Sequence, residues 1–123
     1  MIAPWAGVSA AGAVGAVCRF ELDALVHDRT DGVFPWGTFL INMTGSLLLG
    51  LITGAALYHG FPTTPRIILG TGFCGAYTTF STWTFETVRL LEQGAVRKAL
   101  LNAVLSLAVG SGAAALGLAL AAL

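Results

Sequence analysis

Charge is scarce in this sequence. Of its 123 residues only 10% are Asp, Glu, Lys or Arg, six acidic and six basic, so the formal net charge is zero. A soluble domain of this size needs far more charge to cover its surface, and a neutral chain offers no basic footprint for nucleic acid. Basic residues are missing altogether before Arg19. The charged start of a secretory signal peptide is therefore lacking, and the first apolar stretch is expected to be retained as a span. Cysteine is nearly absent too. Cys18 and Cys74 both fall in apolar stretches, which argues against a disulfide framework and against a zinc centre, with its usual four ligands. They read as buried free thiols. The two histidines, His27 and His59, fall in expected loops and read as surface side chains rather than ligands.

Apolar residues fill the space that charge leaves. They make up 56% of the chain, and mean hydropathy is +0.83. A helix of ~20 mostly apolar residues crosses the ~30 Å hydrocarbon layer. Four such spans are predicted, at roughly 2–20 (extendable to 26), 36–58, 66–91 and 95–123, with turns at 27–35, 59–65 and 92–94. The chain is thus predicted to be an all-α membrane protein, one four-helix transmembrane domain over 1–123. Trp5, Trp36 and Tyr58 lie near span ends, where amphipathic rings favour the interface. Small residues recur at helical spacing: Gly7, Gly12 and Gly15, then Gly50 and Gly54, then Gly110, Ala113, Ala114 and Gly117. Helices in lipid associate by close backbone packing at such residues. Four short helices make a bundle too thin to enclose a pore alone, so a homodimer is expected. Arg29, Arg97 and Lys98, with Arg19 and Arg89 near span ends, fall on one side and Arg66 on the other; the positive-inside rule then places both termini outside.

The most informative segment is 70–86, GTGFCGAYTTFSTWTFE. It sets the hydroxyls of Thr78, Thr79, Ser81, Thr82 and Thr84 among Phe80, Trp83 and Phe85, in the middle of the third span. So polar a run is expensive at bilayer depth unless it is buried in protein or lines a cavity. Two readings stand open. Glycine and threonine break the helix and free backbone carbonyls, a cation site in broken-helix membrane proteins. Alternatively the helix is unbroken and its hydroxyls bond back to the preceding turn. Thr38, Asn42 and Ser46 share a face of span two, and Asn102, Ser106 and Gly110 a face of span four. Each stripe is either interhelical glue, worth ~0.6 kcal/mol per contact, or a row of donors lining a path. Arg19 either snorkels to the interface or attracts anions at a pore mouth. Glu86 has Arg19 or Arg89 as candidate partners, Arg89 lying three residues on along the same helix. The interior lacks the acidic ring of a cation channel and the carboxylate chain of a proton pump. A neutral, donor-rich interior suits a small, hard anion, and the positive edges of Phe80 and Trp83, three apart, can assist it.

At these residues the chain resembles the CrcB/Fluc family of small fluoride channels, and the resemblance runs the whole length. It is carried by GAVGAVCRF in span one, WGTFLINMTGSLLLG in span two, GFCGAYTTFSTWTFE in span three and the Asn102 to Ser106 stripe in span four. The resemblance implies a passive fluoride-selective channel in the cell membrane, multi-pass, that exports fluoride to lower its cytoplasmic concentration. It also implies an antiparallel, dual-topology homodimer with two pathways and a third helix broken near its middle. A structural sodium ion would sit at the dimer centre, held by main-chain carbonyls of Gly75 and Thr78. Asn42, Phe80, Ser81, Thr82, Trp83 and Ser106 would line the fluoride pathway, Arg19 its vestibule, and Glu86 would have a structural or gating role. Two positions depart from the family pattern: Ala76 stands where a second Gly is usual, and Trp83 where Phe is usual. The basic count above opposes insertion in both orientations; the resemblance outweighs it.

Other classes fit less well. A small four-helix proton-coupled multidrug transporter needs an acidic residue inside span one, and none precedes Glu21. An enzyme needs a convergent nucleophile and base or a metal set, and neither histidine falls in a predicted span. A non-conducting accessory membrane subunit would need no polar stripes.

Overall fold

The computed structural model describes residues 2–123, with side chains from Pro4 onward. Four helical rods carry nearly all of them. The first, α1, is Ile2–Arg29, and the second, α2, is Trp36–His59. The third rod is split. Its first half, α3, covers 63–77 as an α-helical start (Thr63–Ile67), a π-helical stretch (Ile68–Cys74) and a last α turn (Gly75–Tyr77). Its second half, α4, is Phe80–Glu92. The last rod, α5, is Val96–Ala121.

The ends follow local chemistry. Pro4 sits in the first turn of α1, where a missing N–H costs nothing. α2 stops at Gly60, whose φ of 64° is the left-handed conformation that glycine adopts freely, and whose N–H returns to the Ala55 carbonyl. Gly94, with φ 75°, turns the chain from α4 into α5. α1 runs on to Arg29 and α2 to His59, so His27 and His59 both lie in helices rather than in loops. The third rod likewise begins at Thr63, before the arginine expected to open it.

α2 and α5 are each long and apolar enough to cross a membrane. α1 carries Arg19, Glu21, Asp23, Asp28 and Arg29 in its second half, and the third rod is interrupted. The 30–35 loop and the turn after α4 meet at one end of the bundle, around a shared cavity. At the other end His59 Nε2 lies 2.7 Å from the Ala121 carbonyl and ties α2 to α5. The start of α1 and the end of α5 therefore lie at the same end of the bundle.

Close packing at glycine holds the rods together. A Cβ on Gly50 would strike the Ala114 carbonyl oxygen, and one on Gly117 the Leu47 carbonyl oxygen, so α2 and α5 touch backbone to backbone. α1 meets α3 in the same way: a Cβ on Gly15 would lie 2.5 Å from the Phe73 carbonyl oxygen, and one on Gly72 2.8 Å from that of Val8. These glycines are structural, as the small-residue spacing predicts for Gly15, Gly50 and Gly117. The π-helical stretch lies along the α1 seam, where a widened turn accompanies the approach of Gly72 and Phe73. Cys74 is buried and Cys18 half-buried, both free thiols.

Gly50→Leu and Gly117→Val are expected to lose on the order of 1–3 kcal/mol or more by forcing the seam apart. Gly112→Ala, whose Cβ meets nothing within 4 Å, should be neutral or gain ~0.5–1 kcal/mol. Unfolding in mixed detergent micelles measures all three.

Candidate functional site

The break in the third rod lies at two threonines. Thr78 (φ −76°, ψ 157°) and Thr79 (φ −144°, ψ 122°) are extended. An unbroken helix would give the Thr79 N–H to the Gly75 carbonyl and the Thr82 N–H to the Thr78 carbonyl. Both donors are diverted. Thr79 N donates to Asn42 Oδ1 at 2.8 Å, and Thr82 N donates to Thr79 Oγ1 at 3.2 Å. Asn42 Nδ2 in turn donates to the Thr79 carbonyl at 3.0 Å. The Asn42 carboxamide thus pairs with both backbone groups of one residue as a neighbouring strand would, and Thr79 caps α4. On the α3 side, Thr78 N and Thr78 Oγ1 both donate to the Cys74 carbonyl, at 2.9 and 2.8 Å.

The two readings of the polar run therefore combine. The helix is broken, and Thr78, Thr84 and Thr87 still bond back to preceding turns. The break leaves two unlike ends facing each other: released carbonyls at the C-terminus of α3, and the unpaired first-turn N–H groups of Phe80 and Ser81 at the N-terminus of α4. The carbonyl side was expected from the sequence; the N–H side, which carries partial positive charge, was not.

Two cavities flank this point. The first, of about 270 Å³, is lined by Asn42, Thr78, Phe80, Trp83 and Ser106 among others. It gathers most of the predicted pathway residues. Phe80 and Trp83 are in contact there, with ring centroids 5.3 Å apart and planes tilted by 56°. The second cavity, of about 160 Å³, holds Arg19 and Thr82 together with Asp23 and Thr38. Thr79 lines both and is the wall between them. Ser81 is exposed, its Oγ 3.4 Å from Thr79 Oγ1. Gly75 is exposed on the outer face of the rod.

Glu86 belongs to a third cavity, of about 350 Å³, with His27, Arg89 and Gln93. Thr38 Oγ1 donates to its Oε1 at 3.0 Å, while Oε2 is buried without a hydrogen-bond partner. Arg89 rather than Arg19 shares its cavity, and Thr38 is a partner that the sequence reading did not name. On α5, the stripe divides. Asn102 is wholly buried: Nδ2 donates to Thr87 Oγ1 at 2.8 Å, Oδ1 accepts from Ser106 Oγ at 3.5 Å, and its carbonyl accepts from Trp83 Nε1 at 3.1 Å. It joins α4 to α5, whereas Ser106 reaches the first cavity. Thr79 is the residue of the break to which the sequence reading gave no separate role. Its signal was present: a threonine just ahead of a helical stretch is a favoured N-cap.

Among the described residues no group of three His, Cys, Asp or Glu side chains comes together. The oxygen atoms at the break are main-chain carbonyls and the hydroxyls of Thr78 and Thr79.

Asn42→Leu is expected to leave the Thr79 N–H and carbonyl unpaired, at a cost of ~1–3 kcal/mol for each buried group. Asn42→Asp should keep the bond from Thr79 N and repel the Thr79 carbonyl. Hydrogen exchange at the Thr79 amide reads both effects: protection falls most in the leucine variant.

The model of the family described as CrcB-like protein, Camphor Resistance (CrcB) matches residues 6–118. A Streptomyces avermitilis protein named Fluoride-specific ion channel FluC 1 is 51% identical over 113 residues, 92% of this chain and 91% of that one. A protein of the same name from Symbiobacterium thermophilum is 48% identical, covering 94% of this chain and 95% of its own. Fluoride-specific ion channel FluC 2 of Mycobacterium tuberculosis is 47% identical, covering 94% and 89%. With the match spanning the broken rod, both flanking cavities and all four helical rods, the chain belongs to the CrcB family.

Proposed function

We propose that this chain is one subunit of a fluoride-selective channel that lets the anion leave the cell passively, with no reaction catalysed. The observation that carries the reading is the broken rod, which brings the N-terminus of α4, the Asn42 amide and the rings of Phe80 and Trp83 around one cavity. A half-helix N-terminus in a membrane protein favours an anion. Asn42 Nδ2 has two hydrogens; one goes to the Thr79 carbonyl and the other is left for the cavity. Ser106 makes only a long 3.5 Å bond to Asn102 Oδ1 and is free to turn its hydroxyl toward an ion. Ring edges supply weak positive charge. These are modest, separated contacts, and conduction requires binding strong enough to replace water yet weak enough to release. Arg19 in the second cavity raises the local anion concentration. The names of relatives at 47–51% identity favour a channel over a multidrug transporter or an accessory subunit.

The working unit in this proposal is an antiparallel homodimer in the cell membrane, with α1 and the broken rod also crossing it. On a single subunit, Gly75, Ser81, Thr82 and the rings of Phe80 and Phe85 (74% and 67% exposed) lie on the outside. Lipid satisfies neither hydroxyls nor released carbonyls; a second copy covers them. The residues fit a central sodium ion. The Gly75 and Thr78 carbonyls are among the four, 75–78, that lose their helical donors at the break, and a Cβ at Gly75 would meet nothing within 4 Å, which leaves room for close approach. When bound, sodium would neutralise those carbonyls and join the two subunits.

Liposomes holding only this protein should release fluoride and retain chloride; equal release of both anions sinks the channel reading. Gly75→Val should leave the subunit folded, since an added Cβ meets nothing within 4 Å, and should weaken the dimer. Photobleaching of labelled subunits in liposomes counts the copies, and a variant that pairs and conducts like the native protein would show the central site to be elsewhere.

A further inference from the structure

Trp83 differs from a phenylalanine at the same place by one donor, and that donor is engaged. Its Nε1–H points at the main-chain carbonyl of Asn102, 3.1 Å away. The bond closes a ring of contacts: the Asn102 side chain donates to Thr87 Oγ1 at 2.8 Å, and Thr87 Oγ1 donates back to the Trp83 carbonyl at 2.8 Å. Asn102, at the hub, is wholly buried. The indole is therefore held from both its ring and its backbone, while it lines the first cavity beside Phe80.

From this geometry we infer that the Trp83 indole N–H is a tether to α5 and not an anion ligand, and that it fixes the ring so that only carbon-bound hydrogens face the cavity. Trp83 is thereby a positioning residue for its own ring edge. The inference rests on the channel reading above for its consequence, but the tether stands on the hydrogen bonds alone. The physical reason concerns binding strength. A free indole N–H in a water-poor path would hold fluoride by a charge-assisted hydrogen bond, about twice as strong as a neutral one. An ion held so firmly leaves slowly, and conduction needs weak, successive sites. Directing the N–H into α5 removes the strong donor and leaves the weakly positive ring edge that a phenyl group would also present.

The test uses the native protein in micelles or nanodiscs, labelled with 15N at its three tryptophans. Trp5→Phe and Trp36→Phe assign the Trp83 indole signal by elimination, without altering the cavity. The expected result is slow hydrogen exchange at the Trp83 indole N–H and no shift of its resonance as sodium fluoride is added. A fluoride-dependent shift, or exchange as fast as that of exposed Trp5, overturns the tether. The second arm is Thr87→Val, which removes the acceptor of Asn102 Nδ2 and the donor to the Trp83 carbonyl: exchange at the Trp83 indole N–H should quicken by about tenfold, the equivalent of one net hydrogen bond. Unchanged exchange in a folded Thr87→Val protein would show that the indole is not held through this ring of contacts. If native liposomes show no fluoride selectivity, the channel reading fails, while the exchange result still decides the tether.

Discussion

The pairing of the Asn42 carboxamide with the Thr79 backbone is the contact on which the rest of this molecule depends. A helix interrupted in an apolar bundle exposes N–H and carbonyl groups that water cannot reach, each a liability of a few kcal/mol. Asn42 meets both groups of Thr79, at 2.8 and 3.0 Å, and the Thr79 hydroxyl meets a third, the Thr82 N–H. The break is thereby made at a defined place and kept. Because the donors are taken by Asn42 and Thr79, the Gly75 and Thr78 carbonyls are released on one side, and the first amides of α4 on the other. One side chain from α2 thus creates two electrostatically opposite ends a few residues apart.

That separation organises the cavities. Thr79 stands between the chamber with Phe80, Trp83 and Ser106 and the chamber with Arg19 and Thr82. The wall is made of the residue whose backbone Asn42 holds, so its position depends on the same contact. The glycine seams serve this arrangement from outside. By letting α2 lie against α5, and α1 against α3, at backbone distance, they set the depth at which Asn42 meets the break.

Much of this was legible in the residues. Hydropathy marked the four rods, three of them within a turn at each end, the glycine spacing marked the seams, and the run of hydroxyls in 70–86 marked the place where the third rod changes character. What stayed ambiguous did so for physical reasons. A threonine bonds equally well to the preceding turn or to a freed amide, so the run alone allowed a whole helix or a broken one; Thr78 does the first and Thr79 the second. Asn102 and Ser106 lie four apart on one face and looked alike, yet Asn102 is enclosed between α4 and α5 while Ser106 opens onto a cavity. Glu86 could be assigned an arginine by spacing along its own helix, but Thr38, 48 residues away, is what it bonds.

The amino-acid sequence by itself determined that the chain is a bundle of apolar helices, that they pack through glycine, and that the third carries the polar chemistry. These properties depend on composition and on spacing along one helix, and such local patterns need no partner to be read. Only the tertiary structure decided where the helix parts, which carbonyls and amides it releases, and which donors remain for an ion. Those depend on what comes from another rod: Asn42 reaching Thr79, Thr38 reaching Glu86, and the Asn102 carbonyl claiming the Trp83 N–H. A hydrogen-bonding group has no fixed role until its partner is in place, and in this molecule the deciding partners are far apart in sequence.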